Sequence, residues 1–173
     1  STPVDILEEL CFDDDWEVRM HAAGNPRTPV DALVDLVHRE RDSDVLKNLR
    51  KRGTLEPELL EAMAASDEWE AREIVARYDE ADPGLLQVLA RDGRTAVRRH
   101  VARHERTPAR ALRVLGRDGD AGVARAAQKN PGFAAARAAG RRRTLILAGV
   151  ALVGLVLLAG LALLVVGVWL ALM

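Results

Sequence analysis

Apolar positions recur in step along the first 130 residues of this chain. Leu7, Leu33, Leu60, Leu86 and Leu112 stand 26, 27, 26 and 26 residues apart. Three residues after each comes Leu10, Leu36, Met63, Leu89 or Leu115. Two further columns follow: Val18, Val45, Ala71, Val97 and Val123, then, four residues on, Ala22, Leu49, Val75, Val101 and Ala127. Four columns held across five units define an internal repeat. Spacings of three and four residues both place side chains on one face of an α-helix. Each unit therefore predicts two short helices, and no sustained alternation suggests a strand. Helices of about eight residues are marginal alone in water, so the units must stabilise one another by stacking. The expected architecture is all-α: an α-solenoid of about five two-helix repeats over residues 1–134.

The polar positions mark the element ends. The first helix of each unit starts at or beside a Pro, whose missing N–H is harmless in the first turn. Thr2, Thr28 and Thr107 precede a Pro and read as N-caps, as does Asp82. The second helix follows an acidic or Gly-containing turn, "DDD", "RDSD", "SDE", "RDGR" or "RDGD". Gly or Pro stops it at "GNPRTP", "RGTLEP" or "HERTP".

The pattern changes after Arg143. From Leu145 to Met173, 29 residues carry no charge. About 20 apolar residues cross a bilayer as a helix, so residues 144–173 predict one transmembrane helix. Residues 135–143 form a basic juxtamembrane segment. Arg137, Arg141, Arg142 and Arg143 precede the span and no charge follows it, which orients the repeat domain to the cytoplasm and the C-terminus to the far side. The expectation is a single-pass membrane protein. A lone cysteine, Cys11, forms no internal disulfide and suits a reducing compartment. Arg outnumbers Lys 22 to 3, a usage that points to a bacterial genome rich in G and C.

The net charge of −1 conceals an asymmetry. Residues 1–80 carry 21 acids and 10 bases; residues 81–143 carry 5 acids and 15 bases. The densest basic stretch is "RTAVRRHVARHERTPARALRVLGRD". Arg98, Arg99, His100 and Arg103 fall on the second helix of the fourth unit, and Arg125 shares the Arg99 column one unit on. These are the candidate partner-binding residues. An acidic protein segment is the first-ranked occupant, since solenoids offer long surfaces to peptides. Anionic lipid is second, because the basic half adjoins the apolar run. Nucleic acid is third: Trp16, Trp69 and Tyr78 lie in the acidic half, whereas base stacking would want them among the cations.

Catalytic chemistry finds little support. Cys11 shares a column with Val37, Ala64, Ala90 and Gly116, so it reads as a small packing residue. His100 and His104 have a metal-compatible spacing, but Arg99 and Arg103 beside them disfavour a cation. Asp13 to Asp15 recur as acidic turns in other units and read as helix caps. Trp16 and Trp69 recur two residues before the valine column and read as contacts between units, or else as exposed anchors. No cofactor, metal site or catalytic set is expected, and the chain reads as a non-enzyme.

The stretches "TPVDALVDLV", "DSDVLKNL" and "DDDWEVRMHAAGNPRTPVDAL" resemble the leucine-rich repeat variant family. The matching parts are Leu-x-x-Leu after Thr-Pro, the acidic turn, Val18-Arg19 and Val97-Arg98, and the closing Asn25-Pro26 and Asn130-Pro131. The resemblance covers roughly residues 2–134. It implies a right-handed superhelix of alternating α and 3₁₀ helices, with one helix per unit being 3₁₀. A founding member carries an iron–sulfur cluster on four cysteines; one cysteine cannot hold it here. HEAT-type units are too long to be the better match. The sequence thus predicts a membrane-anchored, non-catalytic repeat scaffold that binds a protein partner at the cytoplasmic face.

Overall fold

The computed structural model describes residues 3–138. The chain divides into two compact units, Ser1–Phe133 and Ala134–Met173. The helical repeats make up the first. In the second, residues 134–138 are helical. The predicted span and Arg141, Arg142 and Arg143 lie outside the described residues. Among the described residues, no helix is long and apolar enough to cross a membrane.

The described chain is all-helical and repeat-like. Each of the five units supplies two helices: α1 (Val4–Leu10) and α2 (Trp16–Gly24), α3 (Val30–Arg39) and α4 (Ser43–Asn48), α5 (Pro57–Ala65) and α6 (Trp69–Arg77), α7 (Pro83–Leu89) and α8 (Thr95–Arg103), α9 (Ala109–Leu115) and α10 (Ala121–Lys129). No strand occurs among the described residues. Among the described residues only the second unit contains a 3₁₀ helix, Leu49–Arg52, which prolongs α4 and ends at Gly53 with φ +82°. The resemblance implies one 3₁₀ helix in every unit. In the other units the second helix instead runs for nine α-helical residues, long enough to close its own i→i−4 bonds.

Neighbouring units pack helix on like helix. The second helices pack in the order α2, α4, α6, α8, α10, and the first helices in the order α3, α5, α7, α9. The four apolar columns fill the space between the rows and are buried in units two to five. In unit one Leu10 and Val18 stay half-exposed, because among the described residues only one neighbour covers them. The 27-residue spacing has a local cause. Helix α3 is ten residues long, where α1, α7 and α9 are seven.

Two polar seams tie the units together. In the first, the residue after the valine column is Arg in units one, three and four. Arg19 holds Glu40 at 2.7 and 3.3 Å, Arg72 holds Asp92 at 2.6 and 3.2 Å, and Arg98 holds Asp118 at 2.7 and 3.0 Å. Each partner belongs to the next unit and is nearly buried. The same guanidinium donates backward to turn carbonyls, Asp13 and Asp14 for Arg19, Ser66 and Asp67 for Arg72, Asp92 and Gly93 for Arg98. Each acid also accepts the backbone N–H two residues on. One fork therefore closes a turn and clamps two units, the geometry in which paired Arg–carboxylate bonds are strongest. Burial opposes ionisation of Glu40, yet Arg19 and the N–H groups of Asp42 and Arg41 hold its carboxyl below the usual range. The Arg98 hydrogen bond does the same for Asp118. In unit two the Arg position is Leu46 and the facing acid is Ser66; both are buried.

The second seam runs along the helix C-termini through Asn25, Arg52, Tyr78, His104 and Asn130, again one per unit. Arg52 donates to the Asn25 carbonyl. His104 Nε2 lies 2.8 Å from the Tyr78 carbonyl, and Asn130 donates to the His104 carbonyl at 2.9 Å. Tyr78 accepts from the Leu55 N–H. Carbonyls left open at helix ends are thus met by the following unit.

The threonines act at the other end from that expected. Thr28 and Thr107 donate at 2.6 Å to the carbonyls of Ala22 and Val101, six residues back. Pro29 and Pro108 themselves occupy the N-cap positions of α3 and α9. This sets each Thr one residue too far back to reach the free N–H groups, so it closes the preceding helix instead. Asp82 does cap α7, accepting from Gly84, and Asp15, Asp42 and Asp120 cap α2, α4 and α10. Thr2 lies outside the described residues.

Candidate functional site

The outward side chains of the second helices follow the same period as the core. Six residues after each member of the valine column stand Gly24, Lys51, Arg77, Arg103 and Lys129. The four cations are all exposed. They lie on consecutive units whose second helices pack side by side, so they form one row. Three of them end their helix in its last turn and Lys51 lies in the 3₁₀ turn that prolongs α4, where a cation also suits the helix dipole. Lys51, Arg103 and Lys129 have no ion pair among the described residues, and Arg77 has only a loose one, 3.9 Å from Glu73.

The candidate cations of the basic stretch divide around this row. Arg103 is a member of it. Arg125 and Arg99 lie in the column beside it. Arg125 is exposed and donates from Nε to the Ala121 carbonyl at 3.0 Å. Arg99 is partly exposed and lies 3.8 Å from Asp120. Arg98 stands apart from the row. Its side chain is 18% exposed and committed to Asp118 and two carbonyls, so it belongs to the seam. His100 meets Glu73 at 3.0 Å. Burial first, then the charges of Arg77 and Arg103, set its pKa below the ordinary histidine value, against the pull of Glu73. Arg137 is exposed in the short helical segment after the repeats.

Lys51, Arg77 and Lys129 are not among the candidates that the sequence singles out. Their signal is nonetheless there: the 26-residue period that reveals the core also aligns these cations, once it is applied to polar positions.

The other candidates fall into place locally. His104 turns to the Tyr78 carbonyl and accepts from the Arg106 N–H, while His100 turns to Glu73, so the two rings do not converge. No cluster of three or more metal-ligating side chains occurs among the described residues. Cys11 is fully buried, and burial first of all raises its thiol to about 11, which leaves it protonated and unreactive at neutral pH. Trp69 is half-buried with Arg94 over its ring at 5.8 Å, whereas Trp16 is exposed. A recess of about 400 Å³ between Arg50, Leu55, Ile74, Arg77 and Tyr78 opens beside the cationic row.

Comparison with known proteins finds no matching family model, no matching curated protein and no matching solved structure.

Proposed function

We propose that this chain is a non-catalytic α-solenoid scaffold, built from units like those of the leucine-rich repeat variant family, that recruits an acidic protein segment. The observation that carries the reading is the row Lys51, Arg77, Arg103 and Lys129: one exposed cation per unit, three of them without an ion pair among the described residues. Repeated charge at fixed intervals suits an extended polyanionic partner, since each unit adds an equivalent contact. Residues 144–173 would hold the scaffold to a membrane, with Arg137, Arg141, Arg142 and Arg143 keeping the repeats on the cytoplasmic side.

A second reading is apposition to anionic lipid, favoured by the 29-residue uncharged run that follows the basic half. One experiment separates the two. The full chain in mild detergent serves as bait in a crosslinked pull-down at about 0.15 M salt, beside a variant with Lys51→Glu, Arg103→Glu and Lys129→Glu. The protein reading expects an acidic partner that the variant loses. Retention by anionic but not neutral vesicles, with no charge-dependent protein partner, supports lipid. Capture that ignores the reversal overturns the row as the site.

A further inference from the structure

The first helices present a different surface. On α3 and α5 the exposed acids Asp31, Asp35, Glu58 and Glu61 have no ion pair among the described residues and outnumber the one exposed arginine there, Arg39, which lies over the Phe12 ring; on α7, α9 and the turns after them Arg91, Arg110 and Arg117 likewise have no ion pair. This surface carries negative charge on one half and positive charge on the other, along helices that pack in the order α3, α5, α7, α9. On the basic half the face is also apolar. Val88 is 67% exposed and Val114 41% exposed. They border a groove of about 420 Å³ between α7 and α9, lined also by Gln87, Arg91, Arg110 and Ala111. Val88 is the most exposed large hydrophobic side chain among the described residues. Single exposed valines need no explanation; two in one groove with a cationic rim call for a cover.

We infer that a second copy of this chain covers it, by a twofold pairing of the first-helix faces. The argument is complementarity within one sequence. An isologous interface must match itself under a twofold rotation. An axis parallel to the helices and midway between α5 and α7 lays α5 of one copy on α7 of the other, and α3 on α9. Acidic helices then meet basic ones on both sides of the axis. The register agrees. Asp31 and Arg110 hold the same position in their units, two residues before the core leucine, so the rotation sets them opposite each other. Ala62 and Val88 also share a position, two residues after that leucine, and so do Asp35 and Val114. Charges of the same sign would face each other if the copies instead stacked in parallel, which disfavours that arrangement. The cationic row lies on the second helices and stays free, so this pairing is independent of the proposed recruitment.

The test is the oligomeric state of the full chain in detergent micelles, by sedimentation velocity at several protein concentrations. A dimer is expected that weakens as salt rises from about 0.05 to 0.5 M. Asp31→Arg and Arg110→Asp should each raise the dissociation constant at least about tenfold, and the double swap should restore most of it. Val88→Glu should dissociate the dimer, and all four proteins should melt alike because the sites are exposed. A monomer at every concentration overturns the inference. So does a dimer that these substitutions leave unchanged, which would place association elsewhere, or a double swap no tighter than the singles.

Discussion

Along the second helices the outward column keeps one sign from Lys51 to Lys129; along the first helices the column Asp31, Glu58, Gly84, Arg110 changes sign. Both rows obey the same inward rule, with core columns buried in units two to five. The repeat therefore fixes which positions face inward and leaves outward charge open. A uniform row suits a partner of opposite charge. A split row suits its own rotated copy. The contrast teaches that net charge, here −1, is a poor guide to the surfaces of a repeat array.

The largest effect is expected at residues that belong to neither face. Arg72→Ala would leave Asp92 nearly buried without its guanidinium, and removing one partner of such a pair costs about 3 kcal/mol. Urea unfolding of the full chain in detergent should show the midpoint drop, with both surfaces lost together. The Thr107→Val substitution removes a buried 2.6 Å bond to Val101 and should cost about 1–2 kcal/mol in the same assay.

Acid should act through the first seam. The carboxyls of Glu40 and Asp118 titrate below their ordinary range when folded, so the unfolded chain takes up their protons first as pH falls. Their contribution is whole above the ordinary carboxylate range near about 4 and is lost as pH drops through the lowered folded values. His100 has the same sign, since its folded value is also depressed, and its contribution begins to fade below about 6.5. Urea midpoints followed from pH 7 to 3 should fall first through the His100 step and then through the carboxyl step, and Arg98→Ala should flatten the lower one.

The smallest effect is expected in the cationic row itself. Arg103→Glu should change stability by no more than about 0.5 kcal/mol, as exposed substitutions do, while Arg98→Ala, five residues away, should match Arg72→Ala. Equal losses at Arg98 and Arg103 would mean that the row is part of the frame and not a surface.

The helices and their inward columns are legible in sequence because apolar burial is periodic and leaves a repeated mark. The acidic turns before α2, α4 and α10 are legible as caps for the same reason, whereas the turn Ser66 to Glu68 leaves α6 without a side-chain cap. Arg98 is hard to read from sequence because it stands in a run with the partly exposed Arg99 and the exposed Arg103, while its partner Asp118 stands 20 residues on. Local charge density does not reveal such a bond. Thr28 and Thr107 point to the wrong helix because a Thr before Pro fits an N-cap until the backbone gives that position to the Pro. The cationic row escapes a reading of local density because its members are spread one per unit, never adjacent.

Where Leu46 faces Ser66, the clamp repeated at three other junctions is missing. The joint between units two and three rests on apolar contact, the Leu55 N–H bond to the Tyr78 hydroxyl, the Arg52–Glu56 pair at 3.2 Å, and the outer pairs of Arg41 with Asp67 and Glu68 at 3.8 and 3.6 Å. In a stacked array, stability is a sum over nearest-neighbour junctions, so the weakest one decides where the chain first comes apart. Native-state hydrogen exchange would then show two cooperative blocks, with residues before about Leu55 opening separately from those after it. The change of sign along the first-helix face falls one unit further on, so the array would part inside its acidic half.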